Sequence, residues 1–122
     1  MANELSLTAS LLYVKNGIRA TDSVAGQMVS VAGNAIVGSS SYAAPTADTA
    51  LPLGGVTAPR YLWIRNLDST NFVVVKTGVG GTLIAKLLPG DICLVPLDPS
   101  IIAPSTQADT APVNVHYLVF PL

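Results

Sequence analysis

The sequence predicts an all-β chain: one antiparallel β-sandwich domain over residues 1–122, jelly-roll-like in arrangement. Three observations predict it. Short runs of branched and aromatic residues recur at roughly 8–12-residue spacing, separated by Gly, Pro, Asn and Asp. Several of these runs alternate apolar and polar residues with period two. No stretch longer than about ten residues keeps a helical period free of Gly, Pro or β-branched interruptions. A length of 122 residues suits one domain with one hydrophobic core.

The first element runs from Glu4 to Lys15. Leu5 and Leu7 face one side, Glu4, Ser6 and Thr8 the other, so its start reads as a half-buried strand. The run Leu11-Leu12-Tyr13-Val14 reads as more fully buried. Residues 1–15 are also the segment best placed to serve as an interface strand. Asn16-Gly17 is the strongest short hairpin signal, with Ile18 to Thr21 as the return arm. Met28-Val29-Ser30-Val31 alternates again and breaks near Gly33-Asn34. Residues 38–52, rich in Ser, Ala, Thr and Pro, read as a long surface loop, a class of segment often used for function.

The second half is more regular. Arg60 to Leu67 is a strand of aromatic and branched residues, and Asp68-Ser69-Thr70-Asn71 supplies turn chemistry. Phe72 to Thr77 is expected as the return arm of that hairpin. Gly78-Val79-Gly80-Gly81 is a turn, and Thr82 to Leu88 the next strand. Pro89-Gly90 occupies the positions a type II turn requires. Ile92 to Leu97 follows, ended by Pro96 and Pro99. After a Pro-containing loop, Val113 to Phe120 closes the domain with Val113, Val115, Tyr117 and Val119 on one face.

Composition bears on function more than any motif does. Half of the chain is hydrophobic and only 11% is charged, against about 25% in ordinary soluble domains. Its surface is therefore either small and weakly polar or covered by other chains, because an exposed apolar patch is a liability unless it is an interface. Six basic and seven acidic side chains give a net charge of −1 with no basic stripe. Neither nucleic acid nor a membrane is expected as a partner. Met1-Ala2-Asn3-Glu4-Leu5 has no cationic start, so no signal peptide is expected. The longest uncharged stretch, Ser23 to Ala47, contains Gln27, Asn34, three consecutive serines and Pro45, which argues against a transmembrane segment.

Chemistry-bearing residues are sparse. His116 is the only histidine and Cys93 the only cysteine, so no metal-ligand set and no intrachain disulfide is visible. Cys93 lies in an apolar run and reads as a small buried hydrophobe. No serine carries a nucleophile motif, and the acidic residues fall mostly in expected turns, where capping is their default role. Lys76-Thr77-Gly78-Val79-Gly80-Gly81-Thr82 lacks the residue order of a phosphate loop and reads as a hairpin turn. No enzyme activity, cofactor or metal is expected.

Tyr61, Trp63 and Arg65 share one face of one strand. Such a row stacks a sugar or anchors a protein interface, but the first expectation is that Trp63 packs into the core. Leu62 and Ile64 then face the other way. A strand apolar on both faces is central, or covered by a neighbouring subunit. The candidate interface residues are Leu5, Leu7, Tyr42, Tyr61, Trp63 and Arg65.

Residues 60–75, followed by Ile84-Ala85-Lys86-Leu87-Leu88-Pro89-Gly90-Asp91 and by Val113-Asn114-Val115-His116-Tyr117-Leu118-Val119, resemble small structural proteins of tailed bacteriophages. In those, a strand, Asn-Leu-Asp, strand hairpin precedes an apolar, Pro-Gly-Asp/Glu, apolar hairpin and a terminal alternating strand. The resemblance covers about half the chain and carries no catalytic residues. It implies a capsid decoration (cement) protein: a homo-oligomer, with a trimer as the preferred symmetry, that binds the major capsid protein or another virion protein. Its location would be the virion, after synthesis in the host cytoplasm. The alternatives are a tail or head–tail subunit, or a carbohydrate- or receptor-binding module on a tail or fibre.

Overall fold

A computed structural model describes residues 5–29 and 37–121. The chain is all-β, with antiparallel sheets throughout and no helix among the described residues. It forms two compact units, Met1–Ala32 and Gly33–Leu122.

The first unit is a hairpin of β1 (Leu5–Lys15) and β2 (Ile18–Val29). Its turn is Asn16-Gly17 with φ of 50° and 78°. Both values lie in the left-handed region a two-residue hairpin turn demands, which Asn and Gly reach at least cost. A β-bulge interrupts the register opposite Thr8. There Gly26 adopts φ 66° and its N–H donates to the Thr8 hydroxyl at 3.1 Å. The return arm is longer than the expected Ile18–Thr21, reaching Val29. The run Leu11–Val14, expected to be buried, is instead exposed, with Leu11 at 65% and Leu12 at 64%. A two-stranded ribbon has no second layer of its own, so an apolar run within it signals a need for cover without supplying any. Ser30, Val31 and the Gly33-Asn34 break lie outside the described residues.

The second unit is the sandwich. One sheet has the order β3-β10-β5-β8, from β3 (Val37–Ala44), β10 (Val113–Pro121), β5 (Pro59–Asn66) and β8 (Ile92–Pro96). The other has the order β4-β9-β6-β7, from β4 (Thr49–Ala50), β9 (Ser105–Ala108), β6 (Val73–Lys76) and β7 (Leu83–Leu87). The segment expected as a loop over residues 38–52 therefore carries β3 and β4. Its small residues suit a sheet edge, and Gly38 fits where an added Cβ would meet the Leu118 side chain and, at 2.6 Å, the Tyr117 carbonyl oxygen.

Inward-facing residues of the two sheets make the core. Leu62 and Ile64 on β5, Val73 and Val75 on β6, and Val113, Val115 and Val119 on β10 have no exposed surface. Each fully buried side chain of this kind contributes about 1.5–3 kcal/mol. Strand β10 alternates as its sequence predicts. Strand β5 lies centrally, as its two apolar faces require.

The two expected hairpins around residues 60–77 and 82–97 are not hairpins. β5 pairs with β10 and β8, whereas β6 pairs with β7 and β9, so Asn66–Phe72 carries the chain from one sheet to the other. Leu88–Asp91 likewise carries it from β7 back to β8. The turn chemistry itself is as expected. Gly90 has φ 84° and the Asp91 N–H donates to the Leu88 carbonyl at 2.9 Å, closing the Pro89-Gly90 turn. Turn residues specify a reversal, not which sheet receives the next strand.

Asn66 joins both corners. Its side chain points inward, 2% exposed. Its Nδ2 donates to the carbonyls of Asn71 and Leu87, each at 3.0 Å, and its Oδ1 accepts the Asp68 N–H at 2.8 Å. Its backbone N–H donates to the Asp91 carbonyl and its own carbonyl accepts the Gly90 N–H. One residue thus satisfies the polar groups of two inter-sheet crossings.

Candidate interface

Acidic residues act as structural caps. The Asp68 carboxylate accepts the N–H groups of Thr70 and Asn71, that of Asp98 accepts Ser100, and that of Asp91 accepts Leu88. Asp48 links the sheet to the glycine turn: it accepts the Gly80 N–H at 2.7 Å and lies 3.3 Å from the Lys76 ammonium. Lys76 also donates to Gln107. The Lys76–Thr82 segment is therefore a hairpin turn between β6 and β7, with the Gly81 N–H bonded to the Gly78 carbonyl.

The Gly80 N–H, with Lys76 beside it, holds the Asp48 carboxyl below the ordinary carboxylate range. The Asn71 and Thr70 N–H groups do the same for Asp68, and the hydroxyl and N–H of Ser100 for Asp98. Unfolded carboxyls titrate near pH 3.9. Folded ones with lower values stay ionised there, so the unfolded state takes up more protons as pH falls. The stabilisation is full at neutral pH, declines once the unfolded carboxyls begin to protonate, and is gone below the folded values. Urea denaturation midpoints are expected to hold steady from pH 7 to about pH 5 and to fall between about pH 5 and pH 3. A midpoint that rises with acidification contradicts these roles.

Among the described residues, no three His, Cys, Asp or Glu side chains gather as a metal site would need. Cys93 is half-buried on edge strand β8, where it packs against the core and burial pushes its thiol up. His116 is half-buried, directly opposite Arg65.

Among the described residues, two surfaces gather several apolar side chains in neighbouring positions. The first is the outer face of sheet β3-β10-β5-β8. Cross-strand register aligns Gly38, Leu118, Trp63 and Leu94 in one row across all four strands. Phe120, Tyr61 and Pro96 form a row on one side of it, and His116, Arg65 and Ile92 a row on the other. Residues directly opposite on one face pack side by side. Ile92 is 60% and Leu94 38% exposed, while Tyr61, Trp63, Leu118 and Phe120 are half-buried. The Arg60 guanidinium stacks over the Tyr61 ring, 4.8 Å from its centroid.

Trp63 therefore lies on the outer face, correcting the expectation that it packs in the core. Leu62 and Ile64 take the inward positions because period-two alternation permits only one set inside, and the branched aliphatics fill it. Tyr61, Trp63 and Arg65 are brought together as expected. Tyr42 is not with them. It packs at the margin of the core, edge-on to Tyr117 with ring centroids 5.6 Å apart, while the Tyr117 hydroxyl donates to the Pro52 carbonyl.

The second surface is on the hairpin. Pairing places Leu5, Leu7, Ala9, Leu11, Tyr13 and Lys15 on one face of β1. Ile18, Ala20, Asp22 and Val24 of β2 share that face. Leu5 and Leu7 are half-buried and the rest exposed. A shallow hollow lined by Ala9, Ser10, Leu11, Asp22, Ser23 and Val24 flanks the bulge. The opposite face carries Ser6, Thr8, Ser10, Thr21 and Ser23 away from the turn. Leu12, Val14 and Met28 lie on this opposite face too, so exposed apolar residues occur on both sides of the hairpin. Ile92, Leu94, Leu118 and Phe120 were not among the interface candidates read from sequence, and the run holding Leu11 and Tyr13 was expected to be buried. Their alternation is legible, but which strands lie side by side is not.

Comparison with known protein families, with characterised proteins and with solved structures finds no significant match to this chain.

Proposed function

We propose that this chain is a non-enzymatic, self-associating structural protein of a phage particle, acting as a capsid decoration protein. Symmetric copies, a trimer in the preferred arrangement, sit over junctions between major capsid subunits and bridge them. The observation that carries the reading is the exposed apolar surface of the hairpin 5–29. Leu11, Leu12, Val14 and Ile18 are each more than 60% exposed on an element too thin to bury them itself. The low charge agrees with a surface meant to be covered by protein. Strand orders β3-β10-β5-β8 and β4-β9-β6-β7, in which every successive pair of strands except β6 and β7 lies in different sheets, support a jelly-roll reading of the sandwich, an architecture used in capsids.

The test is the mass of the protein in solution, by light scattering across a concentration series. A discrete oligomer persisting at low micromolar concentration is the expected result. A well-behaved monomer at high concentration removes the reading.

A second reading has its own observation. Tyr61, Trp63 and Arg65 face outward in a row, as a carbohydrate- or receptor-binding module of a tail or fibre would need. Saturable quenching of Trp63 emission by a glycan, with the protein monomeric, would favour it.

A further inference from the structure

We propose that Asn16, at the turn of the β1–β2 hairpin, is a site of hydrolytic deamidation, and that its isoaspartate product unpairs the hairpin while the sandwich stays folded. The step needs water and no enzyme, so the turn is a one-way covalent switch carried by the chain itself.

The chain holds six asparagines, and Asn16 alone precedes a glycine. Glycine puts no side chain beside its own nitrogen, the atom that attacks. Both turn residues are exposed, and a Cβ added to Gly17 would meet nothing within 4 Å. The ladder ends at the Lys15–Ile18 pair, so the Gly17 N–H holds no place in it. Lys15 and Arg19 are the charged residues nearest in the chain, and a cation favours the anion left when the Gly17 amide loses its proton. The other asparagines that the structure describes are guarded. Asn66 is buried with its amide donating to two carbonyls, and the N–H of Leu67 after it donates to the Asn114 carbonyl. Asn71 accepts the Thr110 hydroxyl and precedes bulky Phe72. Asn114 precedes β-branched Val115 within central strand β10.

The Gly17 nitrogen gives its proton to water and attacks the carbonyl carbon of the Asn16 side chain. A C–N bond forms, the bond to Nδ2 breaks, and that nitrogen takes up a proton and leaves as ammonia. The succinimide ring then adds one water. Opening at one carbonyl gives aspartate, and opening at the other gives isoaspartate, whose main chain runs through the side-chain methylene. The ring contains the Asn16 Cα–C bond and fixes its torsion well away from that of a turn with φ of 50° and 78°, so closure occurs when the end of the ribbon opens. An isolated two-stranded ribbon is marginal in water and opens readily. Isoaspartate adds one atom to the main chain between Lys15 and Ile18, and the two-residue reversal that pairs them is lost. The ribbon has no second layer of its own to offset that loss. The sandwich draws its core from its own strands and loops and keeps its fold.

The experiment incubates the whole chain in warm, mildly alkaline buffer and follows it by peptide mapping. Trypsin cuts after Lys15 and Arg19, and the aspartate and isoaspartate forms of the Asn16–Arg19 peptide separate by chromatography and gain the mass of an amide-to-acid change. Asn16 is expected to convert at least about tenfold faster than Asn66, Asn71 or Asn114, which open only with the sandwich. The second measurement is NMR of the purified isoaspartate form. Cross-strand contacts of the Leu12–Thr21 and Val14–Arg19 pairs are expected to vanish, and those of the Ile64–Tyr117 pair to persist. The variant Asn16→Gly keeps a turn sequence suited to two residues and has no amide to lose. After the same incubation it is expected to retain both sets of contacts. Conversion at Asn16 no faster than at the other three overturns the site. An isoaspartate form that keeps its β1–β2 contacts, or that loses those of the sandwich as well, overturns the switch.

Discussion

Asn66→Asp is expected to destabilise the sandwich by about 4 kcal/mol or more at neutral pH. The new carboxylate still accepts the Asp68 N–H, but its second oxygen faces the Asn71 and Leu87 carbonyls in place of an amide that donated to both. Two carbonyls lose their donor, at about 1–3 kcal/mol each, and a charge is buried among oxygens. Set against a total stability of about 5–15 kcal/mol, a loss of about 4 kcal/mol or more is decisive. Asn66→Ala, which leaves the same carbonyls bare without adding charge, should cost about 3 kcal/mol. A distinguishing signature follows from the sign of the linkage. A carboxyl in this setting has its folded pKa raised, so its penalty shrinks as pH falls and the acid becomes neutral. The gap in thermal midpoint between Asn66→Asp and wild type should therefore narrow on acidification, and an Asn66→Asp protein within about 1 kcal/mol of wild type at pH 7 would refute the role given to Asn66.

Hydrogen exchange is expected to split the chain into two populations. Amides of β5 and β10 lie at the centre of a four-stranded sheet and should exchange only on global unfolding. Amides of β1 and β2 belong to a two-stranded ribbon. In dissociated protein they should be protected less than about tenfold over an unstructured chain, because an isolated hairpin is marginal in water. In the assembled protein they should slow by about 100-fold or more, since the neighbour's contribution is added to the hairpin's own. Hairpin amides as slow as those of β10 in a monomer would mean that the ribbon stabilises itself, and that its exposed leucines need another explanation.

The strand content was legible, and so were the conformations of the tight turns. Val113 to Phe120 states its two faces outright, and Asn16-Gly17 and Pro89-Gly90 adopt the backbone their residue types favour. What sequence did not convey was the destination of each strand. The stretch Asn66 to Asn71 reads as a reversal, and a reversal within one sheet or between two uses the same residues. Asn66 decides the matter only through contacts with Leu87 and Asp91, more than twenty residues away. Ser39 to Ser41 lie in a strand because β10 pairs with the residues on either side of a bulge there, Tyr42 and Ser39, not because serine favours a strand. The apolar face of the hairpin was misjudged for a related reason. A leucine run demands burial, and local pattern does not say whether the same chain or another supplies it.

The place of β10 between β3 and β5 also governs how the protein is made. β3 and β5 cannot be joined into one sheet until β10 has left the ribosome, with some seventy residues separating β3 from its partner. Folding is therefore a late, non-local event, of the kind that takes milliseconds to seconds. Until then a nascent chain half composed of hydrophobic residues displays unpaired strand edges, which ties its yield in the cell to chaperone supply and to the pace of translation.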